Sequence, residues 1–146
     1  MWRLLLIFCL AGASVAECLQ FDALIQDAKK KAEECKEKTG AQEDIESSVN
    51  NLQVPTSPEG KCMVACVFEE MGLMKGEHMD ADAIYTFVKT SAPNLPLGLS
   101  MMASVTITKC TQGGSSSDKC ENAAEFLNCI AQAAKANEQM LTAMMG

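Results

Sequence analysis

Six cysteines, Cys35, Cys62, Cys66, Cys110, Cys120 and Cys129, are separated by gaps of 26, 3, 43, 9 and 8 intervening residues, and this spacing constrains the 146-residue chain more than any other feature. Whether they pair or bind metal depends on the compartment, which the N-terminus indicates. Met1-Trp2-Arg3 carries one positive charge, Leu4 to Ala11 is almost unbroken apolar sequence, and Ser14-Val15-Ala16 places small residues where a signal peptidase reads. This predicts a secretory signal peptide over residues 1–16, cleaved after Ala16. The apolar run falls well short of the ~20 residues that span a bilayer. Glu17 is too large and charged to precede a lipidated Cys18. Residues 17–146 then form a single secreted domain in an oxidising, extracellular setting, where disulfides are expected.

Cleavage removes Cys9, Trp2 and Arg3, which leaves seven cysteines, no Trp, and 11 basic against 19 acidic residues, a net charge of −8. So acidic a chain has no footprint for nucleic acid or anionic lipid, and no membrane insertion is expected. The sequence contains no Asn-x-Ser/Thr acceptor for N-glycosylation.

Hydrophobic periodicity predicts an all-α domain of about six short helices. Phe21, Leu24, Ile25, Ala28, Ala32 and Cys35 recur mostly at steps of three and four, with Asp22 near the start and Thr39-Gly40 at the end. Lys29–Glu33, Lys30–Glu34 and Glu34–Lys38 supply i,i+4 pairs on its wet face. A short polar helix is expected over 42–51. Ser57 caps a third helix with Pro58 in its first turn, ending near Gly72. Asp80 caps a fourth, with Ala81, Ile84, Phe87 and Val88 on one face. Leu99, Ala103, Ile107 and Cys110, with Met102 beside them, mark a fifth. Asp118 and Glu121 resemble a capping pair for a sixth, which carries Phe126, Leu127, Cys129, Ile130 and Ala133 towards Met140. No segment shows sustained strand alternation.

Catalysis finds little support. His78 is the one histidine, and neither a G-x-S-x-G elbow nor an H-E-x-x-H helix is present. A secreted phospholipase would need a His-Asp pair and a glycine-rich calcium loop. A plant-type lipid-transfer protein would show adjacent Cys-Cys and Cys-x-Cys pairs. Cys62 and Cys66 have zinc-ligand spacing but no second pair beside them. The protein is therefore read as a non-enzyme without metal or cofactor. Cys62 and Cys66 lie one helical turn apart on the same side, and Cys120 and Cys129 about half a turn out of phase. Each must reach a different segment, but spacing leaves all 15 pairings of six cysteines open.

The gaps, with Cys62-Met-Val-Ala-Cys66-Val-Phe-Glu-Glu-Met-Gly-Leu-Met between them, resemble the insect odorant-binding proteins, a six-cysteine helical family that includes the pheromone-binding proteins. The resemblance runs from about Phe21 to Ala134. It implies an odorant-binding-protein-like domain over 17–146, with an internal apolar cavity stapled by Cys35–Cys66, Cys62–Cys120 and Cys110–Cys129. Cys18 lies outside the pattern; it stays free, is capped by a small thiol, or links two chains, so monomer and dimer remain open.

The resemblance also implies pocket positions at Phe68, Met71, Leu73, Phe87 and Ile130. Periodicity adds Leu24, Ala28, Ile84, Val88, Met102 and Ile107. Each of these is equally compatible with plain core packing. Some relatives carry a hydroxyl where Phe68 stands, so broad binding by dispersion is favoured over a polar anchor, with Tyr85 and Thr106 as candidate donors. Nine methionines remain after cleavage, and their flexible thioethers suit either gap-filling or an adaptable wall. His78 is a candidate pH switch beside its plainer reading as a surface loop residue. The function expected is that of a secreted carrier of small apolar or weakly polar molecules such as odorants or pheromones, delivering them through fluid towards an odorant receptor. The alternative is a helical interaction module that binds another protein through a Met-rich surface, without a cavity.

Overall fold

The protein is described from a computed structural model over residues 15–145 without 52 and 115, and for side chains over 22–138 without 50, 52 and 115. The expected signal peptide lies outside these residues as far as Ser14, and the Cys18 side chain lies outside the described side chains. Six helices and one short hairpin follow in order: α1 Val15–Thr39, α2 Ile45–Asn51, α3 Pro58–Glu70, β1 Met74–Lys75, β2 His78–Met79, α4 Ala81–Ser91, α5 Leu97–Thr111 and α6 Lys119–Met145.

The all-α expectation holds, with two helices longer than expected. α1 begins at Val15 instead of near Asp22, because Ala16, Glu17, Leu19 and Gln20 favour helix and nothing breaks it. α6 continues to Met145 because Ala133, Ala134 and Ala136 propagate it and no Gly or Pro intervenes. Residues 42–44 stay outside α2, whose start is fixed by Asp44 Oδ1 accepting the Ser47 N–H at 3.1 Å.

The caps act locally. Ser57 Oγ accepts the Gly60 N–H at 2.9 Å, with Pro58 at the first position of α3. The Glu43 carboxylate, reaching over from the loop before α2, accepts the Ser57 hydroxyl and places negative charge at the positive end of α3. Gly60 is required there, since a Cβ would overlap both the Glu43 carboxylate and Pro55. Asp80 Oδ1 accepts from Asp82 N at 3.0 Å and Ala83 N at 3.1 Å to start α4.

At α6 the capping pair is only half made. Asp118 accepts the Cys120 N–H at 2.8 Å, but Glu121 turns away to Lys61 on α3, at 2.8 and 2.9 Å. A full cationic partner on a neighbouring helix outcompetes one backbone N–H. The wet face of α1 behaves similarly: Lys29 bonds Glu46 of α2 and Lys38 bonds Glu70 of α3, while the i,i+4 pair observed is Lys31–Asp27. The sequence-expected pairs of Lys29 and Lys38 within α1 give way to partners on packed neighbours.

α3 is the central element, packed mainly against α6 and α1. Ala32, Cys35, Ala41, Ile45 and Met63 form one core between α1, α2 and α3. Val64, Ala65 and Ala123 form a second where α3 meets α6, with small side chains that let the helices approach closely. The three disulfides are Cys35–Cys66, Cys62–Cys120 and Cys110–Cys129, with Cα separations of 5.8, 4.5 and 5.6 Å. These are the pairs that the resemblance implies. Cys62 and Cys66 share one side of α3 yet bond α6 and α1 respectively, so two bonds fix three helices; the third ties α5 to α6.

Candidate ligand-binding site

The third apolar cluster gathers side chains from α3, β2, α4, α5 and α6 and from the turns between them. Leu73, Ile84, Ile107, Cys110 and Phe126 are buried in it, with Phe68, Met71, Met79, Ala81, Phe87, Val88, Cys129 and Ile130 packed around them. Phe68 and Phe126 meet edge to face at 5.7 Å and 81°, the geometry that aromatic quadrupoles favour.

Local rules bring these residues together. α3 ends in a Schellman motif: Leu73 N–H donates to Phe68 O at 2.8 Å, and Gly72 N–H to Glu69 O at 2.9 Å. Gly72 has φ +70° with open space around it, and the turn folds Leu73 back over Phe68. Gly72→Ala is expected to cost about 1 kcal/mol through the left-handed backbone alone. A chemical denaturation midpoint unchanged by this substitution would contradict that account. After Gly72, β1 and β2 pair antiparallel with Met74 opposite Met79 and Lys75 opposite His78, turning at Gly76, φ +64°. Asp80 N–H closes the hairpin onto Leu73 O at 2.9 Å. The cap at Asp80 then sets the phase of α4, so that Ile84, Phe87 and Val88 face the cluster.

Of the sequence-selected pocket residues, Phe68, Met71, Leu73, Ile84, Phe87, Val88, Ile107 and Ile130 share this cluster. Leu24 and Ala28 lie half-buried on α1. Met102 is 42% exposed on the outward side of α5, and Tyr85 is 43% exposed. The sequence reading left out Met79 and Phe126. Phe126 precedes Ile130 by one turn on α6 and was within reach of periodicity. Met79 was not, because a two-residue strand carries no alternation.

Asn122 is the buried polar residue among those described, 2% exposed. It lies one turn before Phe126 on α6. Its Nδ2 donates to Glu77 O at 2.8 Å and Ser116 O at 2.9 Å, and its Oδ1 accepts the Ser116 N–H at 3.2 Å. The side chain so joins the hairpin turn and the loop before α6 to the helix. Gly114 passes close enough that a Cβ would lie 3.0 Å from Oδ1. His78, exposed on β2, brings Nδ1 to 3.3 Å from Asn122 Nδ2.

Shifted ionisation lies away from the cluster. The hydrogen bond and charge of Lys38 hold Glu70 below the usual carboxylate range, and Glu70 in turn raises Lys38. Stabilisation from Glu70 is present above its unfolded value, about 4.3, and is lost as pH falls through the lowered folded one. That from Lys38 is present below about 10.4 and is lost as pH rises through the raised one. Both groups are exposed and the effect is small. Thermal melts of Lys38→Met against the parent should differ by a constant small amount from pH 5 to 9 and converge in acid. A difference opening between pH 7 and 5 would contradict this assignment.

These features, six helices, three interlocked disulfides and an apolar cluster ringed by α3 to α6, define a class. The model of the PBP/GOBP family matches residues 19–133, and the chain belongs to that family of odorant-binding proteins. The chain is 31% identical over 109 residues to general odorant-binding protein 69a of Drosophila melanogaster, covering 73% of this chain and 68% of that protein. Among solved structures, odorant-binding protein dmelOBP28a from Drosophila melanogaster superposes with a TM-score of 0.67 at 24% identity, covering 82% of this chain and 98% of that one. Odorant-binding protein 7 from Anopheles gambiae, solved with four disulfide bridges and an azo compound bound, gives 0.59 at 23% identity, covering 77% and 86%. Proteins of this family are carriers of small organic ligands and are typically secreted. No helix among the described residues is long and apolar enough to cross a membrane.

Proposed function

We propose that this protein is a secreted carrier, released by cleavage after Ala16, that reversibly encloses a small neutral apolar molecule and moves it through aqueous fluid towards receptors. The observation that carries this reading is the convergence of Phe68, Met71, Leu73, Ile84, Phe87, Val88, Ile107 and Ile130 on one cluster. Leu24 and Ala28 extend the proposed wall on α1, which meets α4. Binding is driven by removal of apolar ligand surface from water, about 25 cal/mol per Å². A ligand burying ~250 Å² then gains roughly 6 kcal/mol before ordering costs. The resulting affinity lies at best in the micromolar to sub-millimolar range.

Selectivity follows from what the cluster lacks. Among the described residues the one buried polar side chain is Asn122, and its donors and acceptor are engaged by backbone. An ionised ligand head would lose water without gaining a partner. In displacement of an apolar fluorescent probe at pH 7, straight-chain alcohols, aldehydes and esters should compete at least about tenfold better than the carboxylate of equal length. Equal competition by the carboxylate would place a cation in the site and overturn this selectivity. The secreted chain has no Trp, which leaves a clean optical background. Absence of saturable probe binding in correctly paired, delipidated protein would sink the carrier reading itself.

A further inference from the structure

The apolar cluster has two layers that differ in chemistry. Its buried members are mostly branched aliphatics, Leu73, Ile84 and Ile107, with Phe126 and Cys110 beside them. The residues packed around these are half-buried and keep the surface that an entering molecule would touch. Among the long side chains of that outer layer Ile130 is aliphatic, whereas Phe68 and Phe87 are aromatic and Met71 and Met79 are thioethers. The surface offered to a ligand is thus largely ring and sulfur.

We propose that this site selects aromatic ligands: neutral molecules with a benzene-sized ring that packs on Phe68, Phe87, Met71 and Met79. The inference rests on the carrier reading and narrows its ligand class. Aromatic rings meet edge to face or offset, because the negative face of one attracts the positive edge of the other. The cluster already contains such a pair, Phe68 against Phe126 at 5.7 Å and 81°. Phe126 is buried, but Phe68 keeps part of its surface for a second aromatic partner. Thioether sulfur is likewise attracted to rings, often at the edge. A saturated ligand of the same shape gains burial and dispersion but neither of these contacts.

The placement of the methionines separates a binding role from gap-filling. Met63 fills space between α1, α2 and α3 and is 5% exposed. Met71 and Met79 pack against their cluster yet stay half-buried. Their positions follow from the backbone. The Met71 N–H donates to Val67 O at 3.0 Å, which continues the turn of α3 through this residue. On β2 the alternation of the strand leaves His78 exposed and sets Met79 against the cluster. Unbranched side chains at these two places can then adjust their sulfurs to a ring.

Each ring–ring or sulfur–ring contact changes affinity by roughly two- to tenfold beyond what burial alone provides. A phenyl group is itself less hydrophobic than the cyclohexyl group of the same skeleton, so raw affinities mix two effects. Correcting each affinity for the ligand's own partition between water and octanol removes the transfer contribution and leaves the contacts.

The test is displacement of an apolar naphthylamine probe from the secreted chain by phenylethanol and by cyclohexylethanol, which share a skeleton and a hydroxyl. After correction for partition, phenylethanol should bind at least about fivefold more tightly. Met71→Leu combined with Met79→Leu nearly conserves volume. The pair should weaken phenylethanol by at least about threefold and leave cyclohexylethanol within about twofold of the parent. Phe87→Leu should shift the preference in the same direction, and binding of cyclohexylethanol reports that each variant keeps an intact site. Equal corrected affinities in the parent would overturn the aromatic preference while the carrier reading stands. A preference untouched by the methionine pair and by Phe87→Leu, or a loss shared equally by both alcohols, would overturn its assignment to these residues. If the probe and both alcohols failed to bind the parent, the carrier reading would fall and this inference with it.

Discussion

Removal of the Cys62–Cys120 bond, by replacing both residues with alanine, should cost about 4 kcal/mol, more than loss of either other bridge. The bond closes 58 residues of chain, against 31 for Cys35–Cys66 and 19 for Cys110–Cys129. Chain entropy alone gives about 4.2, 3.7 and 3.2 kcal/mol in that order. Neighbouring contacts should enlarge the gap. Lys61 and Glu121, the residues beside the two cysteines, form an ion pair across the same helices, and that pair loses its alignment when the bond goes. Calorimetry on the three double-alanine variants checks the order. If loss of Cys110–Cys129 proved the most damaging, the dominant cause would be strain or packing at α5 instead of loop closure.

Asn122→Ala should destabilise the fold by about 2–3 kcal/mol, although it removes only a small polar side chain. The substitution deprives Glu77 O, Ser116 O and the Ser116 N–H of their partner together, and unsatisfied groups cost about 1–3 kcal/mol each. Access of water at the surface turn limits the total. Hydrogen exchange should report the damage locally, with protection falling at residues 74–79 and 113–118 before the α1–α3 core is affected. Asn122→Asp gives a sharper signature. It keeps an acceptor for Ser116 N–H but turns acceptors towards two carbonyls, so it should be no better than alanine. A melting temperature within about 1 °C of the parent for Asn122→Ala would show that the clamp contributes nothing.

Much of the fold was readable because its signals are local. Ser57 followed by Pro58, and Asp80 followed by Asp82 and Ala83, start helices through bonds spanning two or three residues, and the structure makes each of them. Gly72 marked the end of α3 for an equally local reason, the positive φ it adopts. Features decided by tertiary neighbours were not readable. Lys29 and Lys38 had apparent partners within α1, but α2 and α3 bring Glu46 and Glu70 closer. Glu121 had a capping role available and took Lys61 instead. Asn122 looks like any polar residue on a helix until the hairpin is folded over it. Met102 had the right residue type and a plausible phase, yet lies about 110° from the buried line of α5 because Ile107 and Cys110 fix which side faces inward.

The 43 residues between Cys66 and Cys110 contain the hairpin, all of α4 and most of α5, with no cross-link inside them. Met71, Leu73, Met79, Ile84, Phe87, Val88 and Ile107 of the apolar cluster all belong to this stretch. Its two ends are held by bridges that close elsewhere, on α1 and α6. The chain is thereby divided into a welded chassis and an exchangeable insert. Under the function proposed above, selection on ligand preference can rewrite the insert while the covalent frame is left alone. A chimera that receives residues 67–109 from a relative should inherit the donor's taste in ligands together with the recipient's resistance to heat.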